Sequence, residues 1–209
     1  MFDSMSDLPP PGGLTSPSTA RNRAPILRTL KPRLPSNGVV LEVAAGAGEH
    51  ALYCAAALPG LQWRPTDLDP RALASIAAWR DGAGPPNMLG PLRLDVTEPH
   101  AWPVDRADVV VSINMIHISP WTAAEGLMAG SSRVLPPGGM LFLYGPFIEA
   151  NVETATSNIA FDLSLKSRDP AWGIRDLGEV TALAARSGLE LSERIPMPAN
   201  NLALFFRRR

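Results

Sequence analysis

The run Val39-Val40-Leu41-Glu42-Val43 is followed by Ala44-Ala45-Gly46-Ala47-Gly48-Glu49, two glycines set between an acid at a strand end and an acid opening a helix. In doubly wound sheets the first strand-to-helix turn lies under a ligand at the carboxyl edge. Glycines there allow close backbone approach, and the amides of a helix start favour a negative group. Alone, Gly-x-Gly equally marks a tight turn. Two more acids add weight: Asp67 follows the second strand, where it can accept both hydroxyls of a ribose, and Asp95-Val96 follows the third, where a carboxylate and an amide can bracket an adenine. The loop lacks the G-x-G-x-x-G/A spacing that suits a pyrophosphate. Ribose and adenine without phosphate point to S-adenosylmethionine (SAM), giving S-adenosylhomocysteine (SAH) as product. Glu42 would face its ammonium; Gly48-Glu49 or an arginine would face its carboxylate.

Several other residues are candidates. Ala44 and His50 flank the glycines, Leu68 follows Asp67, and Met115 follows Asn114; all are counted as cofactor contacts. Asn114, ending the fourth strand, can hold the methionine portion, and Arg21 and Asn22 precede a helix able to cover it. His117 has an ordinary pKa suited to proton transfer near neutrality and is the candidate base; the alternative is a histidine hydrogen-bonded into its loop. Tyr144 can orient an acceptor or simply pack. Methyl transfer itself needs little beyond alignment, which can supply roughly 7–11 kcal/mol. Between Asn151 and Arg175 the chain is longer than a connection requires. There Phe161 and Trp172, with Phe147 just before them, can wall a substrate pocket, while Asn158, Asp162, Arg168 and Arg175 supply polar contacts. The alternative for each is plain core or surface.

The elements that would position these groups alternate. Strands are expected at Val39–Val43, Leu61–Arg64, Leu92–Leu94, Ala107–Asn114 and Met140–Tyr144. Helices are expected from Ala24 to about Leu30, Glu49 to Leu58, Asp69-Pro70 to about Trp79, and Ser119-Pro120 to about Val134. Asp176 with Glu179 forms a capping box whose helix ends at Gly188. Leu189–Ile195 and Leu202–Phe206 are too close for a crossover helix, so they form an antiparallel hairpin on an otherwise parallel sheet. The expected fold is α/β, a Rossmann-like seven-stranded sheet with helices on both faces. Residues 1–20 are expected to be a mobile tail, and residues 21–209 one domain with a cap-like insertion at about 147–175.

On these residues the chain resembles the class I SAM-dependent methyltransferases, whose seven-stranded sheet ends in an antiparallel strand. Glu42–Gly48 is similar to their first motif, Asp67 to their ribose acid, Asp95 to their adenine acid, and Leu135-Pro136-Pro137-Gly138-Gly139 to their turn before strand five. Ala44 stands where many members have a glycine. A closer resemblance is to the methyltransferase-like protein 26 family, carried by Ala20–Leu27, Glu42–Ala51, Ser112–Trp121, Tyr144–Phe147, Phe161-Asp162, Arg168–Asp176 and Met197–Asn201. It implies fold and cofactor, not substrate.

Composition narrows the rest. With 19 basic and 20 acidic residues the net charge is -1, so no global field draws nucleic acid or anionic lipid. The Asn/Asp-Pro-Pro-aromatic motif of base-amine methylation is absent, the position reading Asn114-Met115-Ile116-His117. The single Cys54 excludes an internal disulfide framework and a cysteine zinc cage. No apolar run approaches the roughly 18 residues of a membrane span, and the amino terminus does not read as a signal peptide. The expectation is a cytoplasmic methyltransferase, monomer or homodimer, acting on an O, N or S nucleophile of a small molecule, with no metal, nucleic-acid or membrane partner. A non-catalytic SAM-binding protein and an NAD(P)-dependent oxidoreductase are the alternatives.

Overall fold

The computed structural model describes residues 8–98 and 102–209. It divides into two compact units, the first ending at Asp95 and the second running Val96–Arg209. In the first, helix α1 (Pro17–Leu30) precedes strand β1 (Gly38–Val43), helix α2 (Glu49–Ala57), strand β2 (Leu61–Asp67), helix α3 (Pro70–Ala83) and strand β3 (Leu92–Arg93). β1 runs parallel to β2 from Gly38↔Leu61 to Val43↔Thr66, and β2 parallel to β3 at Thr66↔Leu92 and Asp67↔Arg93. Val40, Leu41, Trp63 and Ile76 are fully buried, as apolar runs covered on both sheet faces require. Asp69 caps α3 by accepting from the Arg71 amide at 2.8 Å, with Pro70 at the first helical position. This is the device the sequence announces.

The second unit holds strand β4 (Val109–Ile113), a single helical turn at Met115–His117, helix α4 (Trp121–Val134), strand β5 (Met140–Gly145), strand β6 (Phe147–Ile148), helix α5 (Thr156–Arg168), strand β7 (Arg175–Asp176), helix α6 (Leu177–Arg186) and strands β8 (Leu189–Met197) and β9 (Asn201–Arg208). β4 and β5 are parallel; β9 is antiparallel to both β5 and β8. Ala199 and Asn200 both take φ +57°, the left-handed pair that a tight primed hairpin turn demands. The main sheet has seven strands in the order β3-β2-β1-β4-β5-β9-β8. The expected α/β fold, Rossmann-like with a terminal antiparallel hairpin, is the one observed.

Local differences have physical reasons. Ser119 does not cap α4: its hydroxyl donates to the Met115 carbonyl at 2.8 Å, and Pro120 takes the cap position without a side-chain bond. The insertion carries its own secondary structure, α5 and a two-stranded parallel ribbon of β6 and β7 paired at Phe147↔Arg175 and Ile148↔Asp176. Strands of two residues carry no readable alternation. Helix α1 begins at Pro17, seven residues ahead of Ala24, and holds Pro25 in its interior. Among residues 8–16 of the expected tail, the Leu14 amide donates to Ser75 Oγ at 2.8 Å, the Leu14 carbonyl accepts from Trp79 Nε1 at 2.8 Å, and the Ser16 amide donates to Glu49 Oε2 at 2.6 Å. Residues 1–7 lie outside the described residues, as do residues 99–101. No helix among the described residues is long and apolar enough to cross a membrane.

Three such bonds, each worth about 1 kcal/mol net, give this segment a stabilising role. A chain starting at Pro17 should lose about 2 kcal/mol in urea unfolding. An unchanged midpoint would mean the segment behaves as a tail.

Candidate functional site

At the carboxyl end of β1 three consecutive even positions take left-handed backbone: Ala44 at φ +57°, Gly46 at +58° and Gly48 at +92°. Gly48 is compelled, because a Cβ there would stand 3.0 Å from the Ile76 main chain. Gly46 is exposed, and a Cβ built on it meets nothing within 4 Å, so its backbone faces open space. Ala44 keeps the left-handed conformation without being a glycine, at a cost of about 1–2 kcal/mol. The strain of the loop is held in one non-glycine residue.

Asp67 holds this loop. Its Oδ2 accepts the Gly46 amide at 2.8 Å and its Oδ1 the Asp69 amide at 2.9 Å, so one carboxylate ties together the turns after β1 and β2. A carboxylate offers about four acceptor sites, and Asp67 is half-buried, so lone pairs remain on its open side. Leu68 beside it is exposed, and Asp95, ending the first unit, is half-buried. Helix α2 starts at Gly48 with no side-chain cap, leaving its first amides as donors.

Glu42, in β1, is 1% exposed and accepts the Trp63 indole N–H at 2.6 Å. Burial, opposed by the indole hydrogen bond and aided by Asp67, pushes its carboxyl up to about 7. His50 Nε2 donates to Asn22 Oδ1 at 2.9 Å, both buried, pinning α1 to α2; burial, reinforced by the Arg23 charge, lowers that imidazole to about 4. Arg21 is exposed and Arg23 sits 5.0 Å over the Tyr53 ring.

In the second unit Asn114, at φ +61°, turns the chain off β4, its amide donating to the Tyr144 carbonyl at 2.8 Å. The following turn carries His117, 0% exposed. Its ring meets Phe147 edge-on at 4.9 Å, neither ring nitrogen has a well-formed hydrogen bond, and a Cβ on Gly145 would lie 2.5 Å from its Nε2. Burial first and the Arg175 charge second lower its pKa to about 3, the Gly173 main chain opposing. His117 is therefore neutral near pH 7 and a weak proton acceptor. Asn114 and Met115 are half-buried, while Val96 and Tyr144 are buried.

The segment between β6 and β7, expected to be an insertion, grips this turn with Arg175, the first residue of β7. The Gly173 amide donates to the His117 carbonyl at 3.0 Å, Arg175 Nε to the Ile116 carbonyl at 2.8 Å, and Arg175 Nη2 to those of Ser119 at 2.6 Å and Ala171 at 2.9 Å. Asp162 Oδ1 in turn accepts the Ile174 amide at 2.9 Å, and Arg168 covers Trp172 at 4.9 Å. Arg175, expected to touch substrate, turns Nε and Nη2 to main-chain carbonyls, and Asp162, expected to do the same, divides its oxygens between the Ile174 amide and Lys166 Nζ at 2.5 Å. A cavity of 230 Å³ opens elsewhere in this unit. Of the expected substrate residues it is lined by Phe147 and Asn158; Phe161, Asp162, Trp172 and Arg175 are not in its wall. Glu149, Glu153, Arg194 and the hairpin turn at Asn200 line it as well. Sequence reasoning gave these no role, although Met197–Asn201 stood out as a motif.

Residues 14–208 match the family described as Protein of unknown function (DUF938). The chain belongs to this family. Among solved structures it is similar to CalO1, a methyltransferase in calicheamicin biosynthesis in its SAH-bound form (18% identity, TM-score 0.74, 92% of this chain and 54% of that one). It is similar also to an O-methyltransferase family 2 protein from Planctomyces limnophilus in complex with apigenin (20%, 0.76, 92% and 60%). A putative sarcosine dimethylglycine methyltransferase from Galdieria sulphuraria matches over nearly its whole length (15%, 0.71, 94% and 92%). The first two are longer proteins, of which this chain spans little more than half. At these identities the shared feature is the fold.

Two consequences are measurable. A lysine can satisfy only part of what the Arg175 fork holds, so Arg175→Lys should cost about 2 kcal/mol in urea unfolding; an unchanged stability would remove the clamp. Glu42 should make stability pH-dependent. With the folded carboxyl near 7 and the ordinary value 4.5, its contribution is full below 4.5 and is lost as pH rises through 7. Glu42→Gln should therefore match wild type at pH 5 and exceed it by about 1–3 kcal/mol at pH 8. His50 and His117, lowered below 6.5, act oppositely: their contribution is full above 6.5 and falls away in acid.

Proposed function

We propose that the protein is a SAM-dependent methyltransferase acting on a small molecule, with kinship to the methyltransferase-like protein 26 family as part of the same reading. The observation that carries it is the loop after β1, left-handed at three positions and tied by Asp67, on a sheet ordered β3-β2-β1-β4-β5-β9-β8. The SAH-bound form of CalO1, a structure of the same fold, supports the choice of cofactor.

The first unit suits an adenosyl group. Gly46 presents open backbone, the uncapped start of α2 offers amides to a carboxylate, and Asp67 and Asp95 are half-exposed acids at the ends of β2 and β3. Glu42 does not suit direct contact with an ammonium, being buried and engaged by the Trp63 indole. Asn22 and His50 likewise serve one another. We assign the ribose to Asp67 and the adenine side to Leu68 and Asp95. Bound there, SAM would supply an electrophilic methyl: an acceptor's lone pair forms a bond to that carbon in line as the carbon–sulfur bond breaks, and its electron pair stays on sulfur as SAH leaves.

The second unit's part is positioning. A buried, neutral His117 can give or take one hydrogen bond but is poorly placed on the pKa scale to remove a proton at neutral pH. The reading therefore takes acceptors that attack without strong base assistance, or that lose their proton to solvent. It places the enzyme in the cytoplasm, as monomer or homodimer.

Isothermal titration decides. Wild type should bind SAM and SAH, and Asp67→Asn, which retains one acceptor for the loop, should weaken binding at least about tenfold. No heat with either nucleoside would end the reading. SAM binding without turnover of any acceptor in a broad panel would favour a non-catalytic SAM-binding protein.

A further inference from the structure

The 230 Å³ cavity of the second unit has a chemistry of its own. Its apolar wall is Phe147 and Met197, both buried. Its charged groups are Glu149, Glu153 and Arg194. Arg194 and Glu149 neutralise each other in a two-pronged ion pair, Nε donating to Oε2 at 2.8 Å and Nη2 to Oε1. Glu153 remains, an exposed carboxylate with no ion-pair partner among the described residues. Asn158, 7% exposed on α5, donates through Nδ2 to the Asn200 carbonyl at 3.0 Å, and its Oδ1 accepts nothing among the described residues. The cavity thus has one net negative charge, one spare acceptor on a buried residue and apolar walls. Its missing partner is a hydrogen-bond donor carrying positive charge.

We propose that this cavity binds a small organic ammonium with an apolar body, the ammonium between Glu153 and Asn158 Oδ1 and the body against Phe147. A carboxylate beside an ammonium favours its protonated form, so the ligand is held as the cation. Phe147 joins the cavity to the clamped turn, since its ring also abuts His117.

The test is titration of the full chain, without SAM, with three probes of one shape: phenethylamine, 2-phenylethanol and phenylacetate. Phenethylamine should bind at least about tenfold more tightly than the other two, the scale of one charge-assisted contact. Glu153→Gln, an exposed change compatible with folding, should remove most of that preference. Val152→Trp, at a lining residue 56% exposed, should fill the opening and abolish binding. Equal affinity for all three probes, preference for phenylacetate, or no binding at all would overturn the assignment. SAM titrated separately keeps the two ideas apart. Amine binding without SAM binding sinks the methyl-transfer reading alone; the reverse sinks the cavity alone.

Discussion

One carboxylate organises the edge of the first unit. Asp67 ends β2, yet its two oxygens reach the amide of Gly46 after β1 and the amide of Asp69 before α3. Charge-assisted bonds of this kind are shorter and stronger than neutral ones, and here they hold a loop whose backbone is unfavourable at Ala44. Without the tie, the strain at that residue would favour relaxation, and the open backbone at Gly46 would be lost with it. The acid that ends β2 and the glycine of the turn after β1 are thus joined in one interaction.

The second unit solves a similar problem by different means. A short turn after β4 must present its residues at a sheet edge, and short turns of one helical cycle have little stability of their own. The chain recruits main-chain acceptors instead: Arg175 and Gly173 bind the carbonyls of Ile116, His117 and Ser119. An arginine that satisfies three carbonyls is a scaffold, whatever its charge suggests in a one-dimensional reading. Asp162, holding the Ile174 amide, extends that scaffold into α5.

How much of this was legible follows from the range of each signal. Alternating apolar runs, the Asp69-Pro70 cap and the Asp176 box act within a few residues, so the sheet order's elements and the terminal hairpin were readable. The glycine loop and the acid after β2 were readable as turn features for the same reason, though not the bond that joins them. Roles set by tertiary partners were not. Nothing near Glu42 in the chain announces Trp63, and nothing near Asn22 announces His50; both pairs span more than twenty positions. The tie of Leu14 to Ser75 and Trp79 is longer still. The cavity is the clearest case, because Phe147, Asn158, Arg194 and Asn200 come from four elements and acquire a common purpose only when folded.

The buried ionisable groups show how the two units are tuned. Glu42 is held protonated up to about 7 while His50 and His117 are held neutral down to about 4 and 3, so around neutrality none of the three need carry full charge in the interior. Their pH dependences have opposite signs: the histidines penalise acid, Glu42 penalises alkali. A maximum of stability between the two is the necessary result, without reference to net charge. The same logic separates structural from chemical groups. His117 has the conventional side chain for a base, yet burial and the Arg175 charge hold its imidazole neutral down to about 3. Glu153 and Asn158 are ordinary residues whose unspent acceptors face a cavity. What marks a residue as functional here is unmet bonding capacity beside open space, and its chemical type is a secondary guide.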